Sequence, residues 1–283
     1  MDINLVSTQG MCKGVANAIN TINKALLDER TKKPIYMLGF LVHNKHIVND
    51  FINKGVIVIE EDKLEALDKI DFGTVIFTAH GVSQEVYNKA ISKGLDIIDT
   101  TCKDVKKTHY IIKEKINDGY NVIYYGIKNH PESEGVLGIN KNIHLYEEND
   151  PFPKVTKKTI LVNQTTLSYS KVESLYNKVK PLYKNLEIIN EICDATYKRQ
   201  SAAINETKDA DICIVVGDTK SNNCNSLKKV VEEENHISVV LVEGLEDIKK
   251  IDFSNIKKVA ITSGASTPKA VVNQIYDYIK NLG

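Results

Sequence analysis

The 283-residue sequence balances 37 lysines and arginines against 37 aspartates and glutamates and is 42% hydrophobic, a globular composition that excludes disorder and low complexity. A formal charge of zero removes the broad basic footprint of a nucleic-acid binder, so an anionic ligand has to be caught locally. No apolar run approaches the ~20 residues of a membrane span, and residues 1–10 lack the charged start and apolar core of a signal peptide; a cytoplasmic chain with no membrane and no nucleic-acid partner is expected.

In chain order the first element is the strand INLVS, which leads to Cys12. A helical pattern follows, then the strand PIYMLG closing on Gly39, a polar loop with His43 and Asn44, a second helix, and the short strand VIVIE ending at Glu60. The strand TVIFT then runs into Ala79-His80-Gly81, and after a further helix DIIDTTC reaches Cys102. The same succession recurs. NVIYYG closes on Gly126, His130-Pro131-Glu132 occupies the loop, IHLYE ends at Glu147, TILV enters Asn163-Gln164-Thr165-Thr166, and EIINEIC reaches Cys193. It recurs again with CIVVG to Gly217, Ser221-Asn222-Asn223, VVLVE to Glu243, and VAITS into Gly264-Ala265-Ser266-Thr267. Cys12, Cys102 and Cys193 stand 90 and 91 residues apart, with 90 more to the last residue, so the pattern reads as an internal repeat. Its third copy ends after a helix, and the N-terminal strand supplies what is missing, which brings the two termini together.

Alternating apolar strands and helices predict an α/β fold of three pseudo-threefold-related βαβ units with small parallel sheets. The expected units are 13–102, 103–193, and 194–283 completed by 1–12. Ligands of such sheets sit beyond the carboxyl ends of the strands. Those ends carry the three cysteines and six polar loops, which a cyclic arrangement would aim at one central cavity.

Thiols of a cytoplasmic chain stay reduced, so three converging cysteines favour a metal over a disulfide. There is no C-x-x-C pair, and ligands this far apart imply a site assembled from separate units. Two readings stay open: a [4Fe–4S] cluster with one iron lacking a protein ligand, or zinc on three thiolates. Cys213, inside an apolar strand, reads as core. Cys224 could be a fourth ligand, although the repeat assigns it no metal role. His43, His80 and His130 on three loops, with Ser221, Asn223, Ser266 and Thr267, suit a phosphate near helix N-termini. His109, His144 and His236 read as structural. Ser266-Thr267-Pro268 predicts a helix cap with proline as the first helical residue, and residues 164–168 predict another cap. Glu132 is either a proton donor beside the metal or a first-turn acid facing the helix dipole.

The segments GMCKGV, LVHN, AHGVS, TTCKDV, NHPESEG, NQTTLS, EICDATYKRQ, SNNCNSL and SGAST, in this order and over almost the full chain, resemble the LytB/IspH family of 4-hydroxy-3-methylbut-2-enyl diphosphate reductases. That resemblance implies a central [4Fe–4S] cluster on Cys12, Cys102 and Cys193, with the substrate alcohol reaching the open iron. It implies a diphosphate held by His43, His80, Ser221, Asn222, Asn223 and Ser266. Glu132 would supply protons with Thr165 nearby, and His130 would orient substrate. The implied reaction removes the hydroxyl as water and gives isopentenyl or dimethylallyl diphosphate, the last step of the non-mevalonate isoprenoid pathway. Electrons would come from a ferredoxin or flavodoxin with its reductase, because no flavin or nicotinamide fingerprint is present. Lys103 stands where the family usually has proline, Met11 where it commonly has phenylalanine, and Asn222 where it usually has serine, which leaves room for a related allylic diphosphate as substrate. A condensing lyase of the quinolinate synthase type, also built on three α/β units and three cysteines, is the alternative enzyme, and a solute-binding protein the non-enzymatic one. The histidine, His-Pro-Glu and Gln-Thr-Thr loops favour the reductase.

Overall fold

A computed structural model describes residues 1–282. The first succession comprises β1 (Asp2–Leu5), α1 (Lys13–Leu27), β2 (Ile35–Leu38), α2 (Lys45–Asn53), β3 (Val56–Ile59), α3 (Lys63–Asp68), β4 (Thr74–Phe77), α4 (Gln84–Ser92) and β5 (Asp96–Asp99). The second comprises α5 (Lys103–Asn117), β6 (Asn121–Tyr125), α6 (Pro131–Leu137), β7 (His144–Tyr146), β8 (Thr159–Asn163), α7 (Tyr169–Val179) and β9 (Leu186–Ile189). The third comprises α8 (Asp194–Glu206), β10 (Ile212–Val216), α9 (Asn222–Asn235), β11 (Ser238–Val242), α10 (Leu245–Ile248), β12 (Lys258–Ser263) and α11 (Lys269–Lys280).

These strands form three four-stranded sheets with the orders β3-β2-β4-β5, β7-β6-β8-β9 and β11-β10-β12-β1. Every pairing is parallel. The order within each sheet is the same, so the repeat read from the sequence is a repeat of topology. The N-terminal strand fills the fourth place of the third sheet, with Asp2 opposite Lys258 and Leu5 opposite Ile261. Met1 and Leu282 line one surface pocket, in agreement with the expected closure of the termini. By compactness the chain separates into two units: one of residues 1–13, 166–171 and 192 onward, holding the third sheet, and one of residues 14–165 and 172–191, holding the first two.

The apolar runs form strands because both of their faces are covered. Along β10, Ile212, Ile214 and Val216 join Ile261, Val272 and Ile275 in one core, while Cys213 and Val215 join Leu227 and Val231 in another. Two-residue alternation sends successive side chains into opposite layers, and each full burial contributes ~1.5–3 kcal/mol. Cys213 is therefore a core residue, and burial pushes its thiol up to about 12.

Two features depart from the sequence reading. Short helices α3 and α10 precede β4 and β12, whereas the matching stretch before β8 carries none. That stretch contains Pro151 and Pro153, which lack the N–H a helix needs and push their predecessors toward extended backbone. The expected cap at Ser266-Thr267 also does not form. Pro268 is the N-cap rather than the first helical residue, α11 starts at Lys269, and the Thr267 hydroxyl donates to the Val216 carbonyl at 2.8 Å instead.

At the carboxyl ends of β10 and β12, Gly217 and Gly264 leave a slot that the Cys224 sulfur fills, and a Cβ on either glycine would collide with it. Cys224 is fully buried, and burial pushes its thiol up to about 11. Gly264→Ala is expected to cost about 1–3 kcal/mol by overpacking. In a double-mutant cycle followed by urea denaturation, Cys224→Ala should recover a good part of that cost. Additive losses would show that the slot does not couple the two residues.

Candidate active site

In the unit of the first two sheets, the loop after β2 carries His43, the loop after β4 carries His80, and His130 caps α6. The His43 and His80 ring centroids lie 5.6 Å apart, and those of His80 and His130 5.5 Å apart with an edge-to-face tilt of 89°. His43 and His80 border a cavity of about 400 Å³ that also meets Phe40, Lys63 and Asn129. All three rings are half-buried. Burial, then the other two rings and Lys63, holds His80 well below the usual imidazole range. Burial likewise lowers His130 to about 4, with His43 and Lys63 adding to it. The site thus presents His80 and His130 as neutral groups near pH 7, and the Nδ1 of His80 is buried without a hydrogen-bond partner.

Glu132 follows at the first turn of α6 and is 2% exposed. Its carboxyl accepts the Thr165 backbone N–H at 2.8 Å and the Thr165 hydroxyl at 2.9 Å. The Tyr124 hydroxyl approaches to 3.4 Å, and the His130 Nδ1 takes the Glu132 backbone N–H at 3.2 Å. Burial outweighs these donors and raises the carboxyl to about 7, so near neutral pH it is poised between holding and releasing a proton. A first-turn acid facing the dipole from solvent would not be desolvated in this way. Gln164 braces the same corner: its side-chain oxygen accepts the Ile127 N–H at 3.0 Å and faces the Ser133 hydroxyl at 3.4 Å.

His109 on α5 fills the space over Gly81 and Gly135, where a Cβ would come within 3.5 and 3.3 Å of its ring. It braces the His80 loop against α6, in keeping with the structural role expected of it. His144 is exposed on β7, and His236 closes α9 with a left-handed backbone at φ 55°.

In the unit of the third sheet, Cys12 and Cys193 lie on segments tied to one another. The Cys12 N–H donates to Ala265 at 2.9 Å, the Ala265 N–H donates to Asn223 Oδ1 at 2.9 Å, and Asn223 Nδ2 donates to Thr196 Oγ1 at 3.3 Å. Thr196 Oγ1 is 3.1 Å from the Cys193 sulfur, which accepts the Thr196 N–H at 3.4 Å. Ser221 caps α9, accepting the Cys224 N–H at 3.4 Å, and Asn222 Nδ2 donates to the Thr166 hydroxyl at 2.9 Å and its carbonyl at 3.2 Å. Ser266 is buried. Cys224 is enclosed beneath Ser221 and is placed as a packed side chain.

Cys102 and Cys193 occupy the N-cap positions of α5 and α8, and Cys12 directly precedes α1. None of the five cysteines is in a disulfide; these three are half-buried, whereas Cys213 and Cys224 are buried. A helix N-terminus favours a thiolate. Among the described residues no group of three or more histidine, cysteine, aspartate or glutamate side chains is arranged to hold a metal ion. The sequence reading missed two groups: Tyr124, whose hydroxyl faces Glu132, and Arg199, buried on α8. The signal for the first was the pair of tyrosines that ends the central strand β6.

The fold and these loops define an α/β protein of three like parallel sheets whose chemistry-bearing residues lie just past the strand ends. A family profile described as LytB protein matches residues 3–280, and the chain belongs to that family. Among curated relatives, the 4-hydroxy-3-methylbut-2-enyl diphosphate reductase of Geobacillus thermodenitrificans is 44% identical over 290 residues, covering 100% of this chain and 91% of the relative. That of Geobacillus kaustophilus matches at the same identity and coverage. The solved E-1-hydroxy-2-methyl-but-2-enyl-4-diphosphate reductase of Plasmodium falciparum superposes with a TM-score of 0.88 at 31% identity, over 99% of this chain and 88% of that one. No helix among the described residues is long and apolar enough to cross a membrane.

Two buried groups give stability opposite pH dependences. His109 is lowered to about 4 from 6.5, chiefly by burial. In that window the unfolded chain holds the extra proton, so stability falls as pH drops from about 6.5 to about 4. Glu132 is raised from 4.5 to about 7; the folded chain holds the extra proton, so its contribution is complete below about 4.5 and is lost as pH rises to about 7. Urea melts at pH 5 and pH 7 should therefore show a larger gain on raising pH in Glu132→Gln than in the wild type, and a smaller one in His109→Asn. Equal changes in all three proteins would refute the assignment.

Proposed function

We propose that this chain reduces 4-hydroxy-3-methylbut-2-enyl diphosphate to isopentenyl and dimethylallyl diphosphate, the last step of non-mevalonate isoprenoid synthesis, in the cytoplasm and with electrons from a ferredoxin or flavodoxin served by its own reductase. The observation that carries this reading is Glu132: a desolvated carboxyl raised to about 7 and oriented by both donors of Thr165. Family membership and the reductases among its relatives support the same reaction.

The donor set suits a thiolate-bound iron–sulfur group. Cys12, Cys102 and Cys193 are in no disulfide, half-buried and at helix starts, and the Nε–H of buried Arg199, on the helix that Cys193 caps, has no acceptor within the protein. In this reading the three cysteines hold a [4Fe–4S] cluster among the units 13–102, 103–193, and 194–283 with 1–12. When bound, the cluster would supply the electrons and an iron without a protein ligand as a Lewis acid for the substrate oxygen.

His43, His80, Ser221, Asn223 and Ser266 are the proposed donors to the diphosphate, with the unpartnered Nδ1 of His80 the most available. An arriving anion favours the protonated imidazole and so reverses the depression seen in the free site. Asn222 would have to release Thr166 before its amide could donate to a phosphate. His130 orients the substrate and fixes the Glu132 backbone. Glu132 delivers a proton, and Thr165 holds the carboxyl in line, keeping its hydroxyl hydrogen bond as the charge changes.

In an anaerobic assay with a reduced viologen as electron source, the wild type should convert the hydroxylated diphosphate to the two isopentenyl isomers. Glu132→Gln should keep its iron and bind substrate while kcat falls by about 10² or more; a near wild-type kcat would remove Glu132 from the reaction. Serine at Cys12, Cys102 or Cys193 should sharply lower iron content, whereas Cys213→Ser should retain it. Full iron in any of the first three variants, or zinc in the wild type, would overturn the ligand assignment.

A further inference from the structure

Of the 37 basic residues only Arg30 and Arg199 are arginine. Arg30 lies on the surface, where its partner Asp28 is two residues away. Arg199 is 3% exposed and has no carboxylate bonded to it. Its guanidinium is instead divided among backbone carbonyls, Nη1 donating to Ser263 at 2.6 Å and Thr8 at 3.2 Å, and Nη2 donating to Gly10 at 2.8 Å. A lysine has three donors too, but all on one nitrogen at the end of a flexible stem, whereas the planar fork sets its donors on separate nitrogens facing the two segments.

Those three carbonyls belong to the turn that precedes Cys12 and to the end of β12. Other bonds on the turn run from the Gly10 N–H to the Ser263 hydroxyl at 2.8 Å, from the Cys12 N–H to Ala265, and from Ser7 to Glu206 at the far end of α8. Gly10 has φ +76°, which glycine adopts without steric cost while having the most backbone freedom to lose, so bonds from outside the turn are what order it. Arg199 comes from α8, the helix that Cys193 caps, and so joins the Cys12 turn to the Cys193 helix.

Burying a permanent cation without a counter-ion is costly, and buried donors without acceptors are rare. Arg199 has both features: carbonyl dipoles as its bonded partners, and an Nε–H with none. The groups it stands between are the two ligand cysteines: Arg199 lies on the helix that Cys193 caps, and its Nη2 holds the carbonyl of Gly10, just before Cys12.

We propose that Arg199 is the positioning residue of the iron–sulfur site, its fork fixing the Cys12 turn relative to the Cys193 helix and its buried charge compensating the anionic group that those cysteines hold. This rests on the cluster reading above. The cation stabilises the more negative, reduced form, so it raises the reduction potential, while the carbonyl clamp is needed before any metal arrives.

Two substitutions separate these roles. Arg199→Lys keeps the charge and loses the fork; Arg199→Met loses both. Hydrogen exchange on the iron-free full-length chain should show the Gly10 and Cys12 amides exchanging about tenfold faster in both variants, the scale of losing one charged hydrogen bond. Wild-type exchange at these amides in folded Arg199→Lys would overturn the clamp, and this readout needs neither cluster nor activity. In the reconstituted protein, the midpoint potential of Arg199→Met should lie below that of Arg199→Lys, because net charge and hydrogen bonding to sulfur set such potentials; equal potentials would overturn the counter-charge. Should Arg199→Met fail to fold, Arg199→Gln takes its place in that comparison. A wild-type chain that takes up no iron–sulfur cluster would defeat the cluster reading, while the exchange experiment would still judge the clamp.

Discussion

Every strand in the three sheets runs parallel to its neighbours, and on that constraint the site depends. A parallel pair can be joined only by a crossover that returns the chain to the starting edge. All loops that follow strands therefore emerge at one edge of each sheet, and the helices after them begin there. The residues that meet a ligand at this edge come with free backbone N–H groups and the positive ends of helices, both suited to thiolates and phosphates. Cys12, Cys102, Cys193, His43, His80, His130, Ser221 and Ser266 all lie in loops that follow strands or at the helix starts beyond them.

The loops carry a polar cost that the side chains must meet. Backbone groups past the strand ends are partly buried and need partners, and a few long polar side chains supply them. Gln164 accepts from Ile127, Asn163 accepts the Glu191 N–H at 3.0 Å and the Tyr176 hydroxyl at 2.6 Å, and Asn223 bridges Ala265 and Thr196. Arg199 does the same with a charge. Such residues are scaffold and site at once, so a substitution among them changes the shape of the pocket as well as its chemistry.

Electrostatics then sort the titratable groups. Burial favours the neutral form of each group: His80 and His130 lose their proton near neutral pH, and the Glu132 carboxyl is brought to the midpoint of its titration there. A diphosphate would bring the negative charge that recovers the imidazolium form, so ligand and protons are thermodynamically linked.

Much of this was legible in the sequence because it depends on local periodicity and on topology that follows from it. The apolar runs, the matched order of loops and the spacing of Cys12, Cys102 and Cys193 prescribe three parallel βαβ copies, and the assignment of Cys213 to the core follows from its place in an alternating buried strand. The family motifs named His43, His80, His130 and Glu132 together. What only the tertiary structure decided were partners distant in sequence: the Thr165 clamp on Glu132, the Asn223 bridge, the slot at Gly217 and Gly264 for Cys224, the cap at Pro268, and the carbonyls that receive Arg199. Periodicity reports which face of an element is buried. Which polar atoms share that burial depends on the packing of segments as far apart as Thr8 and Arg199, and it is this pairing, through desolvation, that sets the charge state of Glu132 and the histidines.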